Sequence, residues 1–579
     1  MELQLLPAKS RKGVGYRRSR ESAGTAEWWS CRTAFVLRWD GALGVEERIK
    51  AGCSLAHGQS LTWARGWRDR LAFFSIAGLR GGGARFLLGR HCGTVMETNW
   101  KTSGSPHEKA LRINLDARWY GTFAEIGAGQ EVVRWFFRVG GASGTVAKTI
   151  SAYDMAVSDA LYGPAERYVS RQRLQAMLQY EFDLVVQRLD RIWGAERNFF
   201  AFADTVATRS YSRPEDGHGW MGVRFQHAPR QPPSDLVIHV RLLDKEPVRQ
   251  QEALGILGVN LLFGTFYQRD QPDRLIHSLL DSLTWERIEV DLIHFSGPAF
   301  RHVDNRLMAL QLVEQDLTEA AMFTAAGEPV QWAEVLYKRP VLVQRGSFRP
   351  YTNAALDVLE RAYDQFVREP ELAGQEPVVL LEMTLRHLTT GDAVDHQDFL
   401  QRADMLRALG KPVLISNFRR FHRLAWYLSR YTNRPIGLAL GASKLFEIFD
   451  ESFYNSAEGG LLGGLGQLFK NPGRLYVYPS LEARSGQVLR VENFPIAARL
   501  RHLYAHLCEN RYLVGLTPTD EAFVSIRRAE VLAKIQRGDP DWEAYVPPPV
   551  AAVIRRDRLF GYRPPAEDPD PAGAAERSS

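Results

Sequence analysis

The residues best suited to chemistry lie between Val341 and Phe366, in the stretch VLVQRGSFRPYTNAALDVLERAYDQF. Val341, Leu342 and Val343 form an apolar run directly after Pro340, which suits the start of a buried strand. Gly346 then permits a sharp exit. Leu356, Leu359, Tyr363 and Phe366 recur at three- and four-residue steps, which places them on one face of a helix. Thr352 sits where a hydroxyl caps the first free amides of that helix. A strand that turns through glycine into a helix N-terminus aims unpaired N–H groups and the positive dipole end at one spot. The chemistry expected there is the holding of an anion, with Arg345 and Arg349 beside the turn as cations suited to phosphate.

The turn also resembles a known motif. Gly346-Ser347-Phe348-Arg349-Pro350-Tyr351-Thr352-Asn353 is similar to the first motif of the nicotinamide/nicotinate mononucleotide adenylyltransferases, Gly-Ser/Thr-Phe-x-Pro-x-Thr/His-x-x-His. Gly346, Ser347, Phe348, Pro350 and Thr352 match, and Ala355 stands where the final histidine belongs. The resemblance implies that the turn backbone holds phosphates, that Thr352 acts in transfer and that Mg²⁺ accompanies ATP, and Arg349, at a variable position of the motif, is nominated as a second catalytic residue by its charge. The missing histidine removes one implied phosphate ligand. A second motif of that family, Ser-Ser/Thr-Thr-x-x-Arg, has its nearest counterpart at Ser485 to Arg490, where Ser485 and Arg490 fit. From Met96 onward the chain resembles an uncharacterised bacterial family that carries the same adenylyltransferase label loosely.

Positioning such a turn requires a sheet. Pro340, Pro377, Pro412 and Pro435 each open a continuous apolar strand, with amphipathic helices expected around 353–368, 397–410 and 420–431. A further strand is expected at Arg474–Tyr478. Unbroken apolar strands alternating with helices predict a parallel, Rossmann-like α/β sheet over 340–515, or, alternatively, a single α/β barrel shared with the preceding segment. In either fold ligands collect at the carboxyl ends of strands. That rule selects Arg345, Gly346, Ser347, Phe348 and Pro350, with Asn353 just beyond, then Arg386, Asn417, Ser443 and Lys444 as a cationic, polar rim. Ahead of this domain the pattern predicts a mainly helical segment over 96–197 and a mixed α/β segment over 198–339. Behind it lies a C-terminal extension over 516–579, with a disordered tail expected from Pro547. Gly140 to Thr149 is expected to be a plain loop entering a helix, and Gly459 to Gly466 a flexible loop.

Composition bounds the partners. The 45% hydrophobic and 24% charged content is that of an ordinary globular protein, and no apolar run reaches the length a membrane span requires. The formal charge of +6 is misleading, because residues 1–95 hold 13 Arg and 3 Lys against 7 acids. That surplus of nine leaves the remainder at −3, so nothing in the body asks for nucleic acid. Residues 1–95 also carry three of the four cysteines and lack a sustained period, and are expected to be translated upstream sequence or a disordered basic arm. The single remaining cysteine, Cys508, fits a reducing cytoplasm. His502 and His506 lack a third ligand, and Asp395 and Asp398 are better placed to start a helix than to hold a metal, so no metal site is expected. Three readings remain: an adenylyltransferase, a relative that binds a small-molecule nucleotide without transfer, and an unrelated α/β-barrel enzyme.

Overall fold

The computed structural model describes residues 104–209, 217–391, 393–454, 458–482 and 485–564. Residues 1–95, the last part of the expected tail and Asp392 therefore lie outside the described residues. Among the described residues the chain builds two large open sheets, with two small two-stranded ones beside them, and no barrel.

The first sheet has six strands: Trp119–Ile126 (β1), Val146–Ile150 (β2), Asn198–Ala207 (β3), Gly217–Phe225 (β4), Ser234–Leu242 (β5) and Ile288–Ser296 (β6), in the order β2-β1-β3-β4-β5-β6. β1 runs parallel to both β2 and β3, and β3 through β6 are antiparallel. The boundary expected at 197/198 falls inside this sheet, because β1 pairs with β3 along all eight of its residues. The segment before it holds more helix than strand but also supplies β1 and β2, and Gly140 to Thr149 leads into β2 rather than a helix. One face of the sheet is covered by helices Glu131–Val139 and Pro247–Tyr267, the other by Arg171–Trp193, whose Leu174, Met177, Leu178, Phe182 and Val185 are buried as their spacing predicts.

The second sheet has seven strands: Ala320–Phe323 (β7), Val341–Arg345 (β8), Val378–Thr384 (β9), Val413–Ser416 (β10), Ile436–Gly441 (β11), Arg474–Tyr478 (β12) and Leu513–Gly515 (β13). Their order is β13-β12-β11-β8-β9-β10-β7, parallel throughout except for β7 at the edge. From β8 the chain winds outward through β9 and β10, then returns to the other side of β8 for β11, β12 and β13. This is the doubly wound, Rossmann-like order, and its direction reverses between β8 and β11. Every one of these strands is apolar on both sides because helices cover both faces.

Two stretches expected to be unstructured are ordered. Gly460–Leu468 is a helix, and a Cβ on Gly464 would stand 2.2 Å from the Tyr454 ring, so glycine there permits close packing rather than flexibility. Pro548–Asp557, in the expected tail, is also a helix, with Val550, Ala551 and Ile554 buried in the second core beside Trp542. Its apolar spacing outweighs the prolines, which occupy the helix start where no N–H is needed. None of the helices formed by described residues is long and apolar enough to cross a membrane.

Ile554 is fully buried, so Ile554→Ala is expected to destabilise by about 2–5 kcal/mol, read by urea denaturation. An unchanged midpoint would show the helix to be peripheral. The first sheet supplies a pH test. Glu125 and Asp204 are register partners on β1 and β3, and both are fully buried. Burial pushes Glu125 up to about 7 and, with the Glu125 charge, holds Asp204 well above the usual carboxylate range. An acid whose folded pKa is raised binds more protons folded than unfolded, so stability falls as pH rises from about 4.3 to 7. Asp204→Asn keeps an acceptor for the Ile126 N–H while removing the like charge. Its melting temperature should rise relative to wild type at pH 7 and converge with it near pH 4.

Candidate functional site at the switch point

The loop after β8 is held from below before it can hold anything else. Arg345, the last residue of β8, pairs in register with Glu382 on β9. Its Nε and Nη2 donate to the two Glu382 carboxylate oxygens, each at 2.8 Å, and Ser416 Oγ at the end of β10 donates to Oε1 at 2.6 Å. The Arg345 guanidinium also lies 4.5 Å from the Phe421 ring centroid. Gln344, one residue earlier, donates to the Ala355 carbonyl at 2.6 Å and accepts from Tyr351 O–H at 2.9 Å, which pins the helix start to the strand.

Gly346 is required for a reason that differs from the one expected. Its φ is not positive, but a Cβ there would meet the Phe348 ring at 2.5 Å. Phe348 is buried against Tyr351 and takes a left-handed backbone, φ +47°, a costly conformation for a residue with a side chain. The loop is thus folded around its own phenylalanine. Thr352 caps helix Asn353–Phe366 as its position predicts, its hydroxyl accepting from Ala355 N–H at 3.3 Å.

A cavity of 300 Å³ opens over this loop between the carboxyl ends of β8 and β11. Of the expected residues, Arg345, Gly346, Ser347, Phe348, Thr352, Ser443 and Lys444 line it. Five others do not. Arg349 turns away to Asp398 at 2.6 Å, and Pro350 is buried beneath the loop. Asn353 donates to the Ala544 carbonyl at 2.9 Å. Arg386 and Asn417 are exposed outside the cavity. Of the residues nominated for transfer, Thr352 is therefore at the cavity and Arg349 is not. Arg490, nominated for the second motif, pairs with Glu521 at 2.8 Å away from the lining.

The sequence reading missed the opposite wall. Phe523, Val524, Ile526 and Arg528 close the cavity from the segment read as a C-terminal extension. Asp357 anchors that segment: it accepts from Tyr478 O–H at 2.6 Å, Thr519 N–H at 3.0 Å and Thr519 Oγ1 at 2.5 Å. Arg528 Nη1 donates to Ser347 Oγ at 2.7 Å, so the far wall reaches the glycine loop directly. No carboxylate pairs with Arg528 among the described residues, and its side chain remains exposed at the cavity's edge. Lys444 shares its charge with Glu447 at 2.6 Å, outside the lining. His387, also missed, lines the cavity, and burial together with the charges of Arg345, Lys444, Arg528 and Arg402 pushes it down to about 4. No aspartate or glutamate is among the described lining residues, and no cluster of described residues could hold a metal ion.

No family model and no curated protein matches the sequence. Among solved structures, the competence/damage inducible protein CihA from Agrobacterium tumefaciens overlaps 28% of this chain and 95% of its own, at 18% identity and a TM-score of 0.21. A CinA superfamily protein from Klebsiella pneumoniae overlaps 28% of this chain and 99% of its own, at 14% identity and a TM-score of 0.22. The Plasmodium falciparum nicotinic acid mononucleotide adenylyltransferase overlaps 39% of this chain and 98% of its own, at 13% identity and a TM-score of 0.25. Likenesses this slight assign neither family nor activity.

The geometry of the loop sets an order of stabilities. Thr352→Ala should cost about 1 kcal/mol through the lost cap. Gly346→Val should lower the melting temperature further, because its branched side chain displaces the Phe348 ring. Equal melting of both variants and wild type would contradict the packing described for the loop.

Proposed function

We propose that the cavity at the switch point binds the phosphates of a nucleotide. The observation that carries this reading is a lining that holds Arg345, Lys444 and Arg528 but no described carboxylate, with Arg528 the cation that pairs with none. The N-terminus of the Asn353–Phe366 helix adds its dipole on the same side, where Thr352, Ala354 and Ala355 line the cavity. Arg345 is neutralised by Glu382, so Arg528 is the cation best able to take a phosphate oxygen, with Lys444 as a second. Phe421, Val524 and Ile526 supply an apolar wall on which a base can rest.

The finer reading is adenylyl transfer from ATP to nicotinamide or nicotinate mononucleotide. A mononucleotide phosphate oxygen would attack the α-phosphorus, and pyrophosphate would leave as the α–β bridge breaks. The protein need only position the reactants and neutralise charge. The turn motif supports this reading. Mg²⁺ would have to arrive with the nucleotide, since the described lining offers it no carboxylate. Ala355, in the cavity wall where the resembled motif has a histidine, favours binding without transfer.

Titration calorimetry with ATP is expected to show binding that Arg528→Ala weakens about tenfold or more, as for a lost charge-assisted contact. The affinity should fall as salt rises. No heat and no thermal shift at millimolar ATP would overturn the reading. Dinucleotide formation from ATP and nicotinamide mononucleotide separates the two forms: an active wild type establishes transfer, and an inactive wild type that still binds ATP establishes the binding-only form.

A further inference from the structure

We propose that His387 replaces the phosphate-binding histidine that the turn motif lacks at Ala355, reaching the same cavity from the end of β9 rather than from the helix. This rests on the nucleotide reading and extends it. Ala355 and His387 both line the cavity, together with Arg528, Lys444 and the Ser347 hydroxyl. A methyl group at Ala355 leaves the helix side of the cavity with no side-chain donor beyond the Thr352 hydroxyl, whose oxygen accepts the Ala355 N–H. His387 supplies a donor from the neighbouring strand end.

The ring is set up for that task. Nδ1 of His387 accepts from the Thr384 N–H at 3.4 Å, which places the proton of a neutral imidazole on Nε2. The ring is half-buried, and the ionic groups acting on it are the cations Arg345, Lys444, Arg528 and Arg402. Such surroundings keep the empty site's imidazole neutral, so that it donates a single directed hydrogen bond from Nε2. A bound polyphosphate would reverse the local charge and strengthen that bond. Leu388, the next residue, is buried in the second core, so the short turn Leu385–Leu388 that carries the ring is fixed in place.

The test uses the full chain with ATP, inorganic tripolyphosphate and adenosine as probes. His387→Asn keeps an oxygen where Nδ1 accepts the Thr384 N–H but removes the Nε2 donor. His387→Gln keeps a donor near the Nε2 position. The expected result is that His387→Asn weakens ATP and tripolyphosphate about tenfold while adenosine is unaffected, that His387→Gln loses less, and that adding Ala355→His to His387→Asn restores ATP affinity. A structural role alone would not sort the probes by phosphate content. If wild type binds ATP and both His387 variants bind it equally tightly, the assignment of His387 is overturned and the nucleotide site stands. If wild type binds neither ATP nor tripolyphosphate, both fail. Should His387→Asn fail to fold, His387→Gln carries the comparison, and no gain in tripolyphosphate affinity over adenosine in Ala355→His/His387→Gln relative to His387→Gln alone would count against replacement.

Discussion

The Arg345–Glu382 ion pair is the constraint on which the site depends. It is almost fully buried, with Arg345 side-chain exposure at 7% and Glu382 at 0%. A buried pair of this kind adds little net stability, because desolvation of both charges offsets their attraction. Its effect is directional. Two parallel hydrogen bonds and the Ser416 hydroxyl tie the carboxyl ends of β8, β9 and β10 together at one level, and the Gly346 N–H adds a bond to the Glu382 carbonyl at 3.0 Å. Removing one partner would leave a charge stranded in the interior, which costs far more than the pair contributes. The glycine loop therefore starts from a fixed strand end, and the turn through Phe348 follows from there.

A second constraint closes the cavity. Asp357 lies one turn into the helix that begins at the loop, and it collects three donors from Tyr478 and Thr519. The last strand ends at Gly515, and this anchor fixes where the following segment crosses back over the switch point. With it, Phe523 to Arg528 becomes a wall, and the helices Arg528–Arg537 and Pro548–Asp557 complete the core on that face. Arg402 works alongside from below: it donates to the carbonyls of Ser347 and His387, at 2.7 and 2.8 Å, and pairs with Asp398, which also takes Arg349. The loop arginine that looked most available for phosphate is thereby committed to the scaffold.

What was legible in the sequence follows from range. The proline-led apolar strands, the helix face from Leu356 to Phe366 and the Thr352 cap are set by neighbours within a few residues, and the structure places each as the spacing predicts. The choice between open sheet and barrel was not legible, since it depends on pairing between β8 and β11, nearly a hundred residues apart. The site divides along the same line. Gly346, Ser347, Phe348 and Thr352 reach the cavity because one turn carries them. Arg386 and Asn417 do not, because being next to a strand end says nothing about which side a chain leaves by. Arg528 and His387 were invisible for the converse reason: each enters through a tertiary contact, one across the segment after β13 and one through a four-residue turn after β9.

The two sheets meet along a polar seam, and this bears on what the first sheet contributes. Glu289 on β6 takes Arg241 at 2.9 Å and the Thr318 hydroxyl at 2.6 Å, and Tyr427 from the second sheet's helix approaches it at 3.4 Å. Beside it His239 holds Asp291 at 2.5 Å, and Asp291 is the residue where the β5–β6 register slips. Apolar contact alone would let two such surfaces slide, whereas buried charged groups that pair directionally favour one arrangement. β7 continues the same logic: the chain leaves β6, passes Thr318, and pairs antiparallel with β10, adding an edge to the second sheet. The β10 end that carries Ser416, and through it Glu382 and the glycine loop, is therefore braced by the first half of the chain. The first sheet contributes no described residue to the cavity, but it holds one flank of the sheet that shapes it.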